Sequence, residues 1–262
     1  MKSLKLEDLR LLFNCYSPLK TNRQLVHHYN QISQSNFESN INIRDIYNNQ
    51  ILKGFLNETV IKAAFIEKYS FKKTHSNTIT VFELNTGSSR ADICMLNGTS
   101  MVFEIKTEFD TYVRLNGQIA DYKKAYEYLN LIIPKSKIDE ALKVVNEDIG
   151  VIVYSVDKGK INFSTYRDPV YNSSLDSLFQ LEQLTKNQLS KITNMTNQSK
   201  EYMIEFLIKS KSSEQINRYF IDVMKDKYRD RWLYLYQHRK TIKPLDYQWF
   251  FKNNLSIEAV YI

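Results

Sequence analysis

Apolar positions along the chain change period twice, and each change marks a different kind of element. From Leu4 to about Tyr69 they recur every three or four residues, as at Leu9, Leu12 and Phe13, which predicts helices. A polar connector lies between Gln31 and Asn40, and Ile41 to Tyr69 reads as one long or broken helix. From Ile79 the period falls to two. Ile79–Leu84, Arg90–Leu96 and Ser100–Lys106 are short runs rich in β-branched and aromatic residues, bounded by Asn, Gly and Ser, and they predict three successive strands. A helix is expected from about Tyr112 to Leu129, then a short apolar run, Leu131–Ile133, stopped by Pro134. A second helix follows from about Ser136 to Asn146, then strands at Gly150–Val156 and Ile161–Tyr166 joined by a turn at Asp157–Lys160. Asp168–Ser174 is rich in turn residues, and everything beyond Leu175 has helical spacing.

Strands alternating with helices predict an α/β core with some parallel pairing. The core is expected over residues 56–168, between an N-terminal helical lobe at 1–55 and a C-terminal helical lobe at 169–262.

Residues within the strands supply the candidate chemistry. Glu104, Ile105 and Lys106 form an E-x-K triplet, and strand residues two apart share a face, so the carboxylate and the amine project together while Phe103 and Ile105 face the other way. Asp92 sits on the preceding apolar strand, where a charge is costly unless it is paired or bound to a cation. The turn Leu96-Asn97-Gly98-Thr99-Ser100 sets a geometric condition. A two-residue turn would place Asp92 opposite Phe103, on the wrong face, whereas a three-residue loop or a bulge places it directly across from Glu104. Opposed Cβ atoms lie about 4.5–5.5 Å apart, close enough for shared coordination.

Hard oxygen ligands from Asp92 and Glu104 suit Mg²⁺ or Mn²⁺. Glu83, on the strand before, is a candidate third ligand, with Glu67 on the preceding helix as its competitor. Lys106 is placed to orient an attacking water or to stabilise a phosphorane-like transition state. Downstream, Asp110, Arg114, Gln118 and Tyr122 recur every four residues and would form one polar stripe on a regular helix. The competing reading of that stripe is a solvated face with an Asp110–Arg114 ion pair.

Asp92, then Glu104-Ile105-Lys106, then Gln118 and Tyr122 four apart resemble the PD-(D/E)XK nucleases, particularly the RecB-like branch with its Q-x-x-x-Y motif. Ser89-Arg90-Ala91-Asp92-Ile93, Phe103-Glu104-Ile105-Lys106-Thr107, Asp110-Thr111, Arg114-Leu115 and Gln118-Ile119 further resemble a family of small, poorly characterised bacterial and phage proteins within that superfamily. The likeness covers about residues 80–170 and, more loosely, the helix around Leu175 to Leu189, and Ala91 replaces the Pro of the superfamily's name. It implies an α/β, restriction-endonuclease-like core with a mixed central sheet flanked by helices, and a Mg²⁺-dependent nuclease. Asp92, Glu104, Lys106, Gln118 and Tyr122 would be its catalytic residues, Asp92, Glu104 and Glu83 would hold the metal, and phage defence or toxin action is a compatible setting. The rival expectation is a catalytically idle module on the same fold that binds nucleic acid or protein.

Net charge is +7 without a concentrated basic tail, which suits a polyanion such as nucleic acid but also an acidic protein or a membrane surface; for the nuclease reading the expected partner is DNA rather than RNA. Arg90, Arg114 and Lys240 are the candidate contacts to it. The segment Lys225–Lys243 interleaves basic residues with Tyr228, Trp232, Tyr234 and Tyr236; it could track a nucleic-acid backbone, or Trp232, Leu233, Leu235 and Tyr236 could be the packed face of an amphipathic helix. Cys15 and Cys94 are too few and too far apart for a zinc or redox pair, His27, His28, His75 and His238 have no metal-ligand spacing, and no glycine pattern for an ATP-binding loop is present. No run approaches the roughly 18 apolar residues of a membrane helix. A cytoplasmic protein without a membrane partner is expected.

Overall fold

The computed structural model describes residues 4–38, 41–71, 78–253 and 256–261, so His75 lies outside the described residues. Four helices come first, α1 (Leu6–Cys15), α2 (Asn22–Ser33), α3 (Ile43–Gly54) and α4 (Glu58–Tyr69), followed by β1 (Ile79–Thr86), β2 (Ser89–Leu96) and β3 (Ser100–Ile105). Then come α5 (Leu115–Ala125), β4 (Tyr128–Pro134), α6 (Ile138–Leu142), β5 (Gly150–Asp157) and β6 (Lys160–Arg167). The remainder is helical: α7 (Ser177–Glu182), α8 (Lys186–Thr193), α9 (Lys200–Ser210), α10 (Ser213–Gln237), α11 (Tyr247–Asn253) and α12 (Glu258–Tyr261). The chain forms two compact units, each discontinuous in sequence: one within residues 1–73, 156–162 and 233–262, the other within 74–155 and 163–232. Among the described residues no helix is long and apolar enough to cross a membrane.

The first unit is built on amphipathic helices. Leu9 and Leu12 of α1, Leu25, Val26 and Tyr29 of α2, and Tyr47 and Ile51 of α3 bury their stripes together with Phe55, Val60 and Leu245. The segment expected as one long or broken helix is broken: α3 ends at Gly54, and Asn57 starts α4 by accepting a hydrogen bond from the Val60 N–H at 3.0 Å. A buried polar knot ties the C-terminal segment to the helices. Tyr16 and Tyr261 both donate to Oδ2 of Asp246, at 3.0 and 2.6 Å, and the Leu245 N–H donates to Asn48.

Asp246 is fully buried, and that burial pushes its carboxyl up to about 6 from an ordinary 3.8, against the hydrogen bonds from Tyr261 and Tyr16 and the charges of Arg44 and Lys243. The folded state therefore holds the proton more tightly than the unfolded chain. Its stabilising effect is fully present below 3.8 and is lost as pH rises through about 6. In urea unfolding followed across that interval, wild type is expected to lose on the order of 2–3 kcal/mol relative to Asp246→Asn, which keeps an oxygen for both phenols and cannot ionise.

The second unit carries the sheet apart from residues 156–162 of β5, β6 and their turn, and the strand order is β1-β2-β3-β4-β5-β6. The β1, β2 and β3 strands pair antiparallel, while β3, β4 and β5 run parallel. This is a mixed α/β architecture with a six-stranded mixed sheet flanked by helices. The helix expected to reach Leu129 stops at Ala125, because Tyr128–Pro134 forms the central parallel strand β4. All six residues from Leu129 to Pro134 are buried, Asn130 included, as in a strand covered on both faces, and periodicity alone cannot tell such a run from a buried helix. The helix expected at Ser136–Asn146 shortens to a 3₁₀ turn and the five residues of α6.

A buried carboxylate locks the start of β3. Glu127 Oε2 accepts from the Ser100 N–H at 2.6 Å, Glu127 Oε1 accepts from Asn217 at 2.9 Å, and the Glu127 N–H donates to Ser100 Oγ at 3.0 Å.

Candidate active site

The hairpin between β2 and β3 meets the geometric condition set by the sequence. Its pairs are Ile93 with Phe103, Cys94 with Val102, Met95 with Met101 and Leu96 with Ser100, which leaves a three-residue loop at Asn97–Thr99. Gly98 takes a positive φ of 72° there, and the Asn97 N–H donates to the Thr99 carbonyl at 2.9 Å. One step further along this register Asp92 stands opposite Glu104. The ladder's regular pairing ends at Ile93, because the Asp92 side chain intervenes: its Oδ2 accepts from the Ile105 N–H at 2.7 Å.

On the other side, β1 and β2 pair Phe82 with Ile93 and Leu84 with Ala91, so Glu83 also faces Asp92. Glu83 interrupts that ladder with a φ of 55°, a left-handed conformation costing on the order of 1–3 kcal/mol in a residue other than glycine. Glu83, Asp92 and Glu104 thus occupy one row across three strands. Carboxylate oxygens of Glu83 and Asp92 lie within 4.8 Å of each other. Arg90 answers this accumulation of negative charge with its Nε 2.7 Å from Glu83 Oε2, and its side chain is still 61% exposed. Of the two acidic candidates left open by the sequence, Glu83 joins this row. Glu67 belongs to the first unit, where the Tyr247 phenol donates to it at 2.9 Å.

Glu104 is held from three directions. Its Oε1 accepts from Lys106 Nζ at 2.8 Å and from Gln118 Nε2 at 2.6 Å, its Oε2 accepts from the Tyr122 phenol at 2.8 Å, and Lys106 also donates to Gln118 Oε1 at 3.0 Å. The helical spacing of four puts Gln118 and Tyr122 on the same face of α5, above the E-x-K pair. Asp92, Glu104 and Lys106 are only 8%, 6% and 9% exposed. Burial first, and the Glu104 charge next, push the Tyr122 phenol well up, so it stays a donor. A hydrogen bond to a charged group contributes about 1.5–3 kcal/mol, and Tyr122→Phe is expected to lose roughly that in urea unfolding.

The polar stripe expected from Asp110 to Tyr122 is not one helical face. The α5 helix begins only at Leu115, and Asp110 lies in the loop before it, where its Oδ2 accepts from the Thr107 N–H and hydroxyl, both at 2.7 Å. Lys137 donates to the Asp110 carbonyl at 2.6 Å, fixing the loop away from helical geometry. Arg114 is exposed at the end of that loop, and no Asp110–Arg114 ion pair forms among the described residues. Lys240 is exposed in the first unit. In the aromatic segment before it, the four residues of the packed-face reading divide: Trp232 and Leu235 are buried, Leu233 and Tyr236 half-buried.

One residue of the site's framework went unnoticed in the sequence. Asp121 accepts from the Ser88 N–H and hydroxyl, at 3.2 and 2.8 Å, and from the Ser89 hydroxyl at 2.7 Å, pinning α5 to the turn between β1 and β2. Burial opposes its charge, but the Ser89 and Ser88 hydrogen bonds together outweigh it and hold the carboxyl below its usual range. Its only signal was a serine pair at the start of β2.

The profile of the family described as "Bacteriophage P4 protein cII" matches residues 53–250, a span that contains every candidate site residue. The chain belongs to this family. Protein cII of Enterobacteria phage P4 is 27% identical over 181 residues, covering 66% of this chain and 68% of that protein. A solved structure of a protein of unknown function from Silicibacter pomeroyi aligns over 58% of this chain and 82% of its own, at 12% identity and a TM-score of 0.29, too low to carry an argument. None of these likenesses bears on the PD-(D/E)XK resemblance.

Proposed function

We propose that this cII-family protein is a metal-dependent nuclease with a restriction-endonuclease-like core, hydrolysing phosphodiester bonds in nucleic acid, with DNA the favoured substrate. The observation that carries the reading is the row of Glu83, Asp92 and Glu104 beside the Lys106–Gln118–Tyr122 network on one sheet face. Its donor set is all oxygen, which fits a hard divalent cation. Asp92 and Glu83 would hold Mg²⁺ or Mn²⁺ together with Glu104, whose Oε2 makes one hydrogen bond and keeps acceptor capacity. Such an ion supplies positive charge against the phosphate oxygens and acidifies the attacking water.

The chain's own groups do the rest. Lys106 is oriented by Glu104 and Gln118, so its ammonium is fixed in place before substrate arrives and can donate to a phosphate oxygen or to the attacking water as charge develops. Gln118 and Tyr122 act on Glu104: they fix its rotamer, and through it the position of Lys106. Arg90, exposed at the edge of the row, is available to a neighbouring phosphate, as is Arg114.

The test is to incubate the pure protein with single- and double-stranded DNA and RNA in Mg²⁺, in Mn²⁺ and in EDTA. Cleavage of DNA that needs the ion and stops in EDTA supports the reading. Binding to nucleic acid without cleavage of any substrate in either ion would replace it with the idle module.

A further inference from the structure

The first unit holds a second polar site with no part in the proposed nuclease chemistry. A cavity of about 430 Å³ is lined by Asn22, Asn42, Arg44, Thr241, Lys243 and Tyr261. Its lining groups are two cations, two amides, a hydroxyl and a phenol, without a carboxylate. Arg44 is the unusual member, only 7% exposed. Its Nη2 donates to the carbonyls of Pro18 and Lys20, at 3.2 and 2.6 Å, but its Nε has no hydrogen-bond partner. A buried guanidinium N–H without an acceptor is costly, and such a group calls for explanation by a ligand or ion.

Arg44 stands in the first turn of the twelve-residue helix α3, whose N-cap is Asn42, so the positive end of the helix dipole faces the same cavity. Of the acidic groups nearby, Asp45 pairs with Lys243 and accepts from the Asn42 amide, and Asp246 is fully buried with both phenols on its Oδ2 and no hydrogen-bond partner on its Oδ1. The volume falls in the range of roughly 300–1,000 Å³ for small-molecule sites, more than a bare inorganic anion needs. Tyr261 adds an aromatic face, with Arg44 Cζ 5.9 Å from its ring centroid.

We propose that this cavity binds a phosphate monoester of nucleotide size, its phosphate on Arg44, Lys243 and the start of α3 and its ring against Tyr261. The site is independent of the nuclease reading.

Calorimetric titration of the full chain in EDTA, with adenosine 5′-monophosphate, inorganic phosphate and adenosine as probes, tests it. The monophosphate is expected to bind, and tighter than either of the others. Lys243→Gln should weaken it about tenfold, the loss of one charge-assisted contact, while Asp92→Ala leaves it unchanged. Because Arg44→Gln also removes the bonds to Pro18 and Lys20, the milder Lys243→Gln decides. No binding of the monophosphate, unchanged binding in Lys243→Gln, binding lost in Asp92→Ala, or inorganic phosphate binding equally well would each overturn the proposal.

Discussion

Replacing Asp92 by Ala, or Lys106 by Ala, is expected to lower the rate of phosphodiester cleavage by on the order of 10²–10³-fold, the usual effect of deleting one preorganised charged or hydrogen-bonding group at a transition state. The two variants should differ in how they fail. Asp92 also accepts the Ile105 N–H inside the sheet, so Asp92→Ala leaves that donor without an acceptor and should lower thermal stability as well. Asp92→Asn keeps an acceptor for the amide and separates the two effects: a loss of cleavage without loss of stability is the expected result. Lys106→Ala takes the cation away from the buried Glu104 carboxylate and leaves it to the neutral donors Tyr122 and Gln118, so it should cost stability through an unpaired buried charge as well as turnover. Circular dichroism melting beside single-turnover rates reads both quantities.

The second large effect concerns the strand beneath the site. Ile132 is fully buried in β4, pairs with Ile105 on one side and Ile152 on the other, and accepts the Lys106 N–H on its carbonyl at 2.9 Å. Truncating a buried Ile to Ala removes apolar burial and leaves a cavity, a cost of about 2–5 kcal/mol. Ile132→Ala is expected to lose that much in urea unfolding, with an unchanged slope. Because β4 backs the end of β3, cleavage should fall as well, even though Ile132 shares its side of the sheet with Ile105 and not with Glu104. A loss below about 1 kcal/mol would mean that β4 is not packed as described.

The site was more legible in the sequence than the elements around it, for a physical reason. Strand parity is rigid: two residues apart means one face, so Glu104 and Lys106 could be paired from their spacing alone. The Asn97-Gly98-Thr99 loop fixes the register of everything before it, and a one-residue change would have turned Asp92 away. Helix boundaries carry no such arithmetic. Asp110 and Arg114 have the spacing of a helical face, yet Asp110 is drawn into the loop by the Thr107 N–H and hydroxyl, a competition local spacing does not register. Tyr128 and Leu129 fit the end of a helix as well as the start of a strand, because a mostly apolar run without polar alternation suits either structure until its neighbours are known. The left-handed backbone at Glu83 and its pairing with Arg90 were equally out of reach, since both depend on what the folded sheet places opposite them.

The central claim is that one row of carboxylates and one lysine make this sheet face a phosphodiesterase. It is tested most directly by following cleavage of end-labelled single-stranded and duplex DNA in Mg²⁺ by the wild-type chain and by an Asp92→Ala, Lys106→Ala double variant purified in the same way. Wild type should cut at least one of the two substrates and the folded double variant neither. Cleavage by the double variant at the wild-type rate, or a wild-type chain that cuts neither substrate, would contradict the account.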